Sequence, residues 1–131
     1  MSLKARFGNM PDLAPIARRA ITDYAATRGG FADDALNDIE VAVGEALANA
    51  VEHGRCDGGG WIAASCICLD GVFKVTISDN GPGFDQTQVA RISDPADSFR
   101  GFGLPMMRKL MDSVVIERGG RAITMLKYLA D

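Results

Sequence analysis

The sequence predicts an α+β protein: a two-layer α/β sandwich in which a mixed, mainly antiparallel sheet carries its helices on one face. Three observations lead there. Two long stretches, one starting near Asp12 and ending at Gly29-Gly30, the other running from about Asp33 to His53, repeat apolar residues at helical spacing. Four later apolar runs read as strands, and two of them are joined by Asp70-Gly71, a dipeptide suited to a tight hairpin turn. The elements come in blocks, (β)-α-α-β-β-lid-α-β-β, without the strict alternation of a doubly wound parallel sheet. The 131 residues suit a single domain, 1–131, with a substantial core.

Each element has its own signal. Lys4 to Phe7 is a short strand candidate. In the first helix Leu13, Ile16, Ala17, Ala20, Ile21 and Tyr24 follow the helical period, Asp12 is placed to cap the start, and Pro15 falls in the first turn, where its missing N–H costs little. Arg18 and Arg19 lie off the stripe and read as solvated. In the second helix Leu36, Ile39, Val43, Leu47 and Ala50 share one side, and Gly54 stops it. Trp61 to Leu69 and Val72 to Ser78 form the hairpin. From Asp85 to about Arg100 the periodicity fades, a long connection of the kind that often forms a functional lid. A helix follows from Gly103 (L-P-M-M-R-K-L-M-D), then strands at Ser113 to Glu117 and Ala122 to Leu129, joined at Gly119-Gly120.

Composition narrows the function. Hydrophobic residues make up 47% and charged residues 24%, as in a globular chain, and the net charge of −3 argues against a direct nucleic-acid binder working through a basic face. No apolar run approaches the ~20 residues of a membrane span, and the amino-terminal residues lack a signal-peptide apolar segment. The three cysteines, Cys56, Cys66 and Cys68, have neither disulfide-framework nor zinc spacing, and Cys66 and Cys68 read as small residues of a strand. This usage fits a reducing cytoplasm.

Three segments carry chemistry. Glu45 and Asn49 sit one turn apart in the second helix, with Glu52 nearby, on the side opposite the core stripe. Asn49 offers a neutral oxygen of the kind that joins an octahedral Mg²⁺ shell, and Glu45 is placed to take a proton from an attacking hydroxyl. In D-N-G-P-G-F, Asp79 stands at a strand end, where a carboxylate can accept a hydrogen bond from an exocyclic amine, while Gly81 and Gly83 let a flat ligand approach the backbone. In R-G-F-G-L-P, Gly101 and Gly103 precede a helix whose first N–H groups face an incoming anion. Neither a Rossmann fingerprint nor a G-x-x-x-x-G-K-[ST] phosphate loop is present.

Taken together and in this order, E-A-L-A-N-A-V-E-H-G, D-N-G-P-G-F and G-F-G-L-P-M-M resemble the N box and the two glycine boxes of the GHKL ATPase superfamily, across nearly the whole chain. Within it, the short chain and the N-A-V-E-H-G run are most similar to the anti-sigma factor serine/threonine kinases of bacteria. The resemblance implies a Bergerat ATP-binding fold with ATP and Mg²⁺ bound under a lid. Glu45 would be the catalytic base and Asn49 the metal ligand. The nucleotide would be bound by Asn49, His53, Asp79, Gly81, Gly83, Phe84, Arg100, Gly101, Phe102, Gly103 and Leu104.

The family often carries G-T-T-V early in its last strand, where a threonine supports adenine. Here the run is Gly120-Arg121-Ala122-Ile123, so Thr124, on the same side as Ala122 by alternation, becomes the candidate replacement. The implied activity is phosphorylation of a STAS-type anti-anti-sigma protein by a homodimeric enzyme that also holds a sigma factor inactive. Two other functions fit the same residues: a nucleotide-gated regulator-binding module without kinase activity, and the ATP-binding part of a histidine kinase relay. His53, the lone histidine, matches the family's H-G ending and is a poor phosphoacceptor candidate.

Overall fold

A computed structural model describes residues 1–6, 10–53, 60–80 and 103–130. Strand β1 (Ser2–Arg6) leads into helices α1 (Met10–Gly29) and α2 (Asp33–His53). Strands β2 (Trp61–Leu69) and β3 (Val72–Asp79) form the hairpin. Helix α3 (Gly103–Leu110), β4 (Ser113–Glu117), a 3₁₀ turn (Arg118–Gly120) and β5 (Ala122–Tyr128) follow. The sheet has five strands in the order β1-β2-β3-β5-β4. All four pairings between described strands are antiparallel, so the parallel component that the sequence allowed for is absent among them.

The hairpin turn is chemically determined. Asp70 and Gly71 both have positive φ, 52° and 77°, the primed-turn geometry whose twist matches the flanking strands. Gly30 takes φ 69° just past the end of α1, the usual left-handed helix stop.

Strand alternation sorts the two faces of the sheet. Ile62, Ala64 and Cys66 of β2, Phe73, Val75 and Ile77 of β3, and Ile123 and Met125 of β5 are buried toward the helices. Against them α2 sets Ile39, Ala42, Val43, Ala46, Leu47 and Ala50. The predicted α2 stripe is therefore core, widened by the two alanines. In α1 the stripe is rotated from the one expected: Ala14, Ala17, Ile21, Tyr24 and Ala25 pack inward, whereas Ile16 is 62% exposed. The start of α1 also differs. It begins at Met10, so Asp12 lies inside the first turn and Pro15 falls beyond it. The expected solvation of Arg18 is incomplete: its side chain lies over Gly44 of α2, 4.0 Å from Glu40.

Burial pushes the Cys66 thiol up, with the Cys68 thiol adding to the rise and the N-terminal ammonium opposing it. Burial also pushes Cys68 up, against the pull of Arg28. Both are free thiols; Cys66 is buried, as expected of a small strand residue, whereas Cys68 is only partly so; Cys56 lies outside the described residues.

One polar tie binds the layers. Lys127, on the helix-facing side of β5, donates to Asp38 of α2 at 3.1 Å and to the Leu110 carbonyl at the end of α3 at 2.5 Å. Its side chain is 15% exposed and that of Asp38 34%, so losing the lysine leaves a half-buried carboxylate and a carbonyl short of a donor. Lys127→Met should lower stability by ~2 kcal/mol, equivalent to roughly 7 °C in Tm for a domain of this size. Thermal unfolding followed by circular dichroism checks this, and an unchanged Tm would show that the tie carries no stability.

Candidate functional site

The polar residues of α2 are set by its packing. With the stripe through Val43, Leu47 and Ala50 held against the sheet, Glu45 and Asn49 project from the flank of the helix and are half-buried. They do not face open solvent, because the first turn of α3 lies against them. A Cβ placed on Gly103 would stand 2.9 Å from Asn49 Nδ2, 3.3 Å from Asn49 Oδ1 and 3.3 Å from Glu45 Oε2. Any side chain at Gly103 would displace the carboxamide. Glycine here allows the close approach, which brings the predicted N box and the start of the second glycine box into contact.

Asp79 closes β3 on the helix-facing side, in the same alternation as Phe73, Val75 and Ile77. It is 8% exposed, and among the described residues it is the one buried carboxylate. Its N–H donates to the Arg121 carbonyl at 2.9 Å, continuing the Ser78–Ala122 register past the end of the ladder. The next residue, Asn80, is structural: its Oδ1 accepts from the Trp61 N–H at 2.8 Å, tying the end of β3 to the start of β2.

Asn49 and Asp79 line one cleft. Ala46, Ala50, Ile77 and Ile123 supply its apolar walls, and Gly120 with Arg121 forms the far rim. That rim is shaped by an unusual run of left-handed backbone: Arg118, Gly119 and Gly120 have φ of 55°, 66° and 94°. The cleft has a volume of about 10 Å³, close to the space of a single water, so a larger ligand enters only as its walls part.

Other predicted site residues fare differently. Leu104 is 6% exposed and belongs to the hydrophobic core, where it helps to seat α3. Met107 and Met111 are likewise core, and Met106 is on the surface. Thr124 does share a side with Ala122, but that side is turned away from the helices and from Asp79. Its hydroxyl pairs with Thr76 across the strands at 2.9 Å. The replacement assigned to it therefore fails, because pairing register places Thr124 on the wrong face of the sheet. The side chain of His53 is outside what the structure describes, as are Gly81, Gly83, Phe84, Arg100, Gly101 and Phe102.

Two residues escaped the sequence reading. Arg121 lines the cleft at the position where the family pattern has threonine, which was the available signal. Lys127 had none, since nothing local marks a lysine in a strand as a tether.

The family model of the histidine kinase-like ATPase domain matches residues 7–127. The chain belongs to this family. Among curated relatives, a protein named serine-protein kinase RsbW from Oceanobacillus iheyensis is 32% identical over 92% of this chain and 82% of its own length. A protein of the same name from Listeria monocytogenes serotype 4a is 30% identical, covering 91% of this chain and 82% of the relative. Another from Bacillus thuringiensis is 31% identical over 79% of this chain and 71% of the relative. Among solved structures, a histidine kinase domain from the blue-light activated histidine kinase of Erythrobacter litoralis EL346 superposes with a TM-score of 0.59 at 20% identity. It matches 92% of this chain and 61% of that one, and it shows a shared fold.

Gly103→Ala tests the packing at the centre of the site. The added methyl group should shift the Asn49 side-chain amide resonance more than that of any other asparagine. Stability should change by less than ~1 kcal/mol, because alanine also improves helix propensity. An unmoved Asn49 amide would mean that the two elements are not in contact in solution.

Proposed function

We propose that this protein is an ATP-dependent serine/threonine protein kinase acting in the cytoplasm. The observation that carries the proposal is the meeting of Glu45, Asn49 and Gly103 beside a cleft closed by the buried Asp79. Its similarity to serine-protein kinases over most of its length supports the reading. No described helix is long and apolar enough to cross a membrane.

The residues fit a magnesium nucleotide. An apolar cleft ending in a buried acceptor suits the amine-bearing edge of a purine, and the space kept open by Gly103 lies next to a carboxamide oxygen and a carboxylate. Asn49 would offer Mg²⁺ one neutral oxygen, and the ion would supply charge neutralisation at the phosphates. The bound Mg²⁺–ATP supplies the transferable phosphoryl group and the neutralising charge. Glu45 orients the incoming hydroxyl and accepts its proton. Gly103, at the start of α3, lets phosphate come close to N–H groups that lack helical partners.

The proposed substrate is a serine or threonine of a STAS-type anti-anti-sigma protein. The same kinase holds a sigma factor or similar regulator inactive, and phosphorylation decides which partner it keeps. A homodimer is part of this reading. The sheet face turned from the helices exposes Ile67, Leu69, Val115 and Tyr128, each between 48% and 64% accessible, and a second copy docked there would cover them.

Transfer of label from γ-labelled ATP to a small protein in lysate of the source organism tests the activity. An acid-stable label on that protein is the expected result. An acid-labile label would point to a histidine relay, and no label despite intact ATP binding would favour a nucleotide-gated module. Glu45→Gln should keep ATP affinity within about threefold while transfer falls by ~10²-fold or more; unchanged transfer would remove Glu45 from the reaction. Asn49→Ala should abolish the gain in ATP affinity that Mg²⁺ confers on the parent protein. Calorimetric titrations with and without Mg²⁺ measure this, and a parent protein indifferent to Mg²⁺ would remove the metal assignment.

A further inference from the structure

Arg121 occupies a place where its charge has a consequence. It lines the same cleft as Asn49 and Asp79, and its carbonyl accepts the Asp79 N–H, so these two residues stand opposite each other at the ends of β3 and β5. Its side chain belongs to an exposed residue at the rim, and no ion pair between described residues engages the guanidinium. The left-handed run from Arg118 to Gly120 aims the chain into this corner, and the Arg121 N–H donates back to the Arg118 carbonyl at 3.3 Å. The corner is therefore built by the backbone, and the guanidinium is left available to a ligand.

We propose that Arg121 is a base-specificity residue that opens the cleft to guanine as well as adenine nucleotides. The proposal rests on the nucleotide reading above and deepens it. A threonine hydroxyl donates or accepts, so it can adapt to an adenine edge, which presents an amine beside a ring nitrogen. A guanidinium only donates, and an ionised carboxylate only accepts. Asp79 and Arg121 thus bring an acceptor and a donor to the lining of one cleft. Guanine offers the complement: N1–H and the exocyclic amine for the carboxylate, and the carbonyl O6 next to them for the guanidinium. Arginine is a good donor to O6 because that oxygen is a strong, planar acceptor. Adenine satisfies Asp79 through its amine, but its ring nitrogen is the weaker acceptor.

The competing account is that Arg121 only adds positive charge near the phosphates. Charge alone strengthens ATP and GTP equally, so the ratio of the two affinities isolates the base. Titrations of Mg²⁺–ATP and Mg²⁺–GTP into the full chain, as parent, Arg121→Thr and Arg121→Lys, read that ratio. The parent should bind GTP within about tenfold of ATP. Arg121→Thr should raise the preference for ATP over GTP by about tenfold. Arg121→Lys, which keeps the charge and loses the planar fork, should also raise it. A ratio identical in all three proteins would overturn the proposal while leaving the nucleotide site standing. Failure of the parent to bind either nucleotide would overturn both.

Discussion

The packing of α2 on β3 governs the rest of the molecule. Ile39, Val43 and Leu47 are buried against a sheet face that includes Phe73, Val75 and Ile77, each 2% exposed or less. Burying side chains of this size contributes ~1.5–3 kcal/mol apiece before entropic costs, so the rotation of α2 about its axis is not negotiable. Once that rotation is set, Glu45 and Asn49 have one place to go, the flank covered by the start of α3. On the sheet, the same alternation that buries Phe73, Val75 and Ile77 carries Asp79 to the helix side at the end of the strand. The candidate site residues are positioned by core packing and need no separate scaffold.

A carboxylate at the edge of a hydrophobic core is costly unless something answers it. Asp79 is tolerable because it lies at the end of its strand, where an arginine backbone anchors it and a cleft opens beside it. A carboxylate held this way beside a cleft is a candidate for use by a ligand. Gly103 shows the same logic in steric form. Its lack of a side chain does not relieve backbone strain. It admits the Asn49 carboxamide to a distance that a Cβ would not allow.

Lys127 links this site to the global fold. By holding Asp38 of α2 and the last carbonyl of α3, it fixes α3, whose first residue abuts Asn49. Displacing α3 would open the contact at Gly103 without touching any residue of the cleft. The tether and the contact at Gly103 thus lie at opposite ends of one helix of eight residues.

Much of this was legible in the sequence, because it rests on short-range rules. Helical period located α2 and its core stripe, Asp70-Gly71 announced its turn through positive φ, and the spacing of Glu45 and Asn49 placed them together on one flank. The failures share a cause. Ile16 was assigned to a core stripe by period alone, yet which of two adjacent stripes is buried depends on what α1 meets, and it meets the core through Ala14, Ala17 and Ile21. Thr124 was placed correctly relative to Ala122, and no local rule reveals which face of the sheet that pair occupies. Sequence period determines what lies on the same side of an element. Only the tertiary structure decides which side is inside, because that choice is made by partners distant in the chain whose combined burial outweighs any local preference.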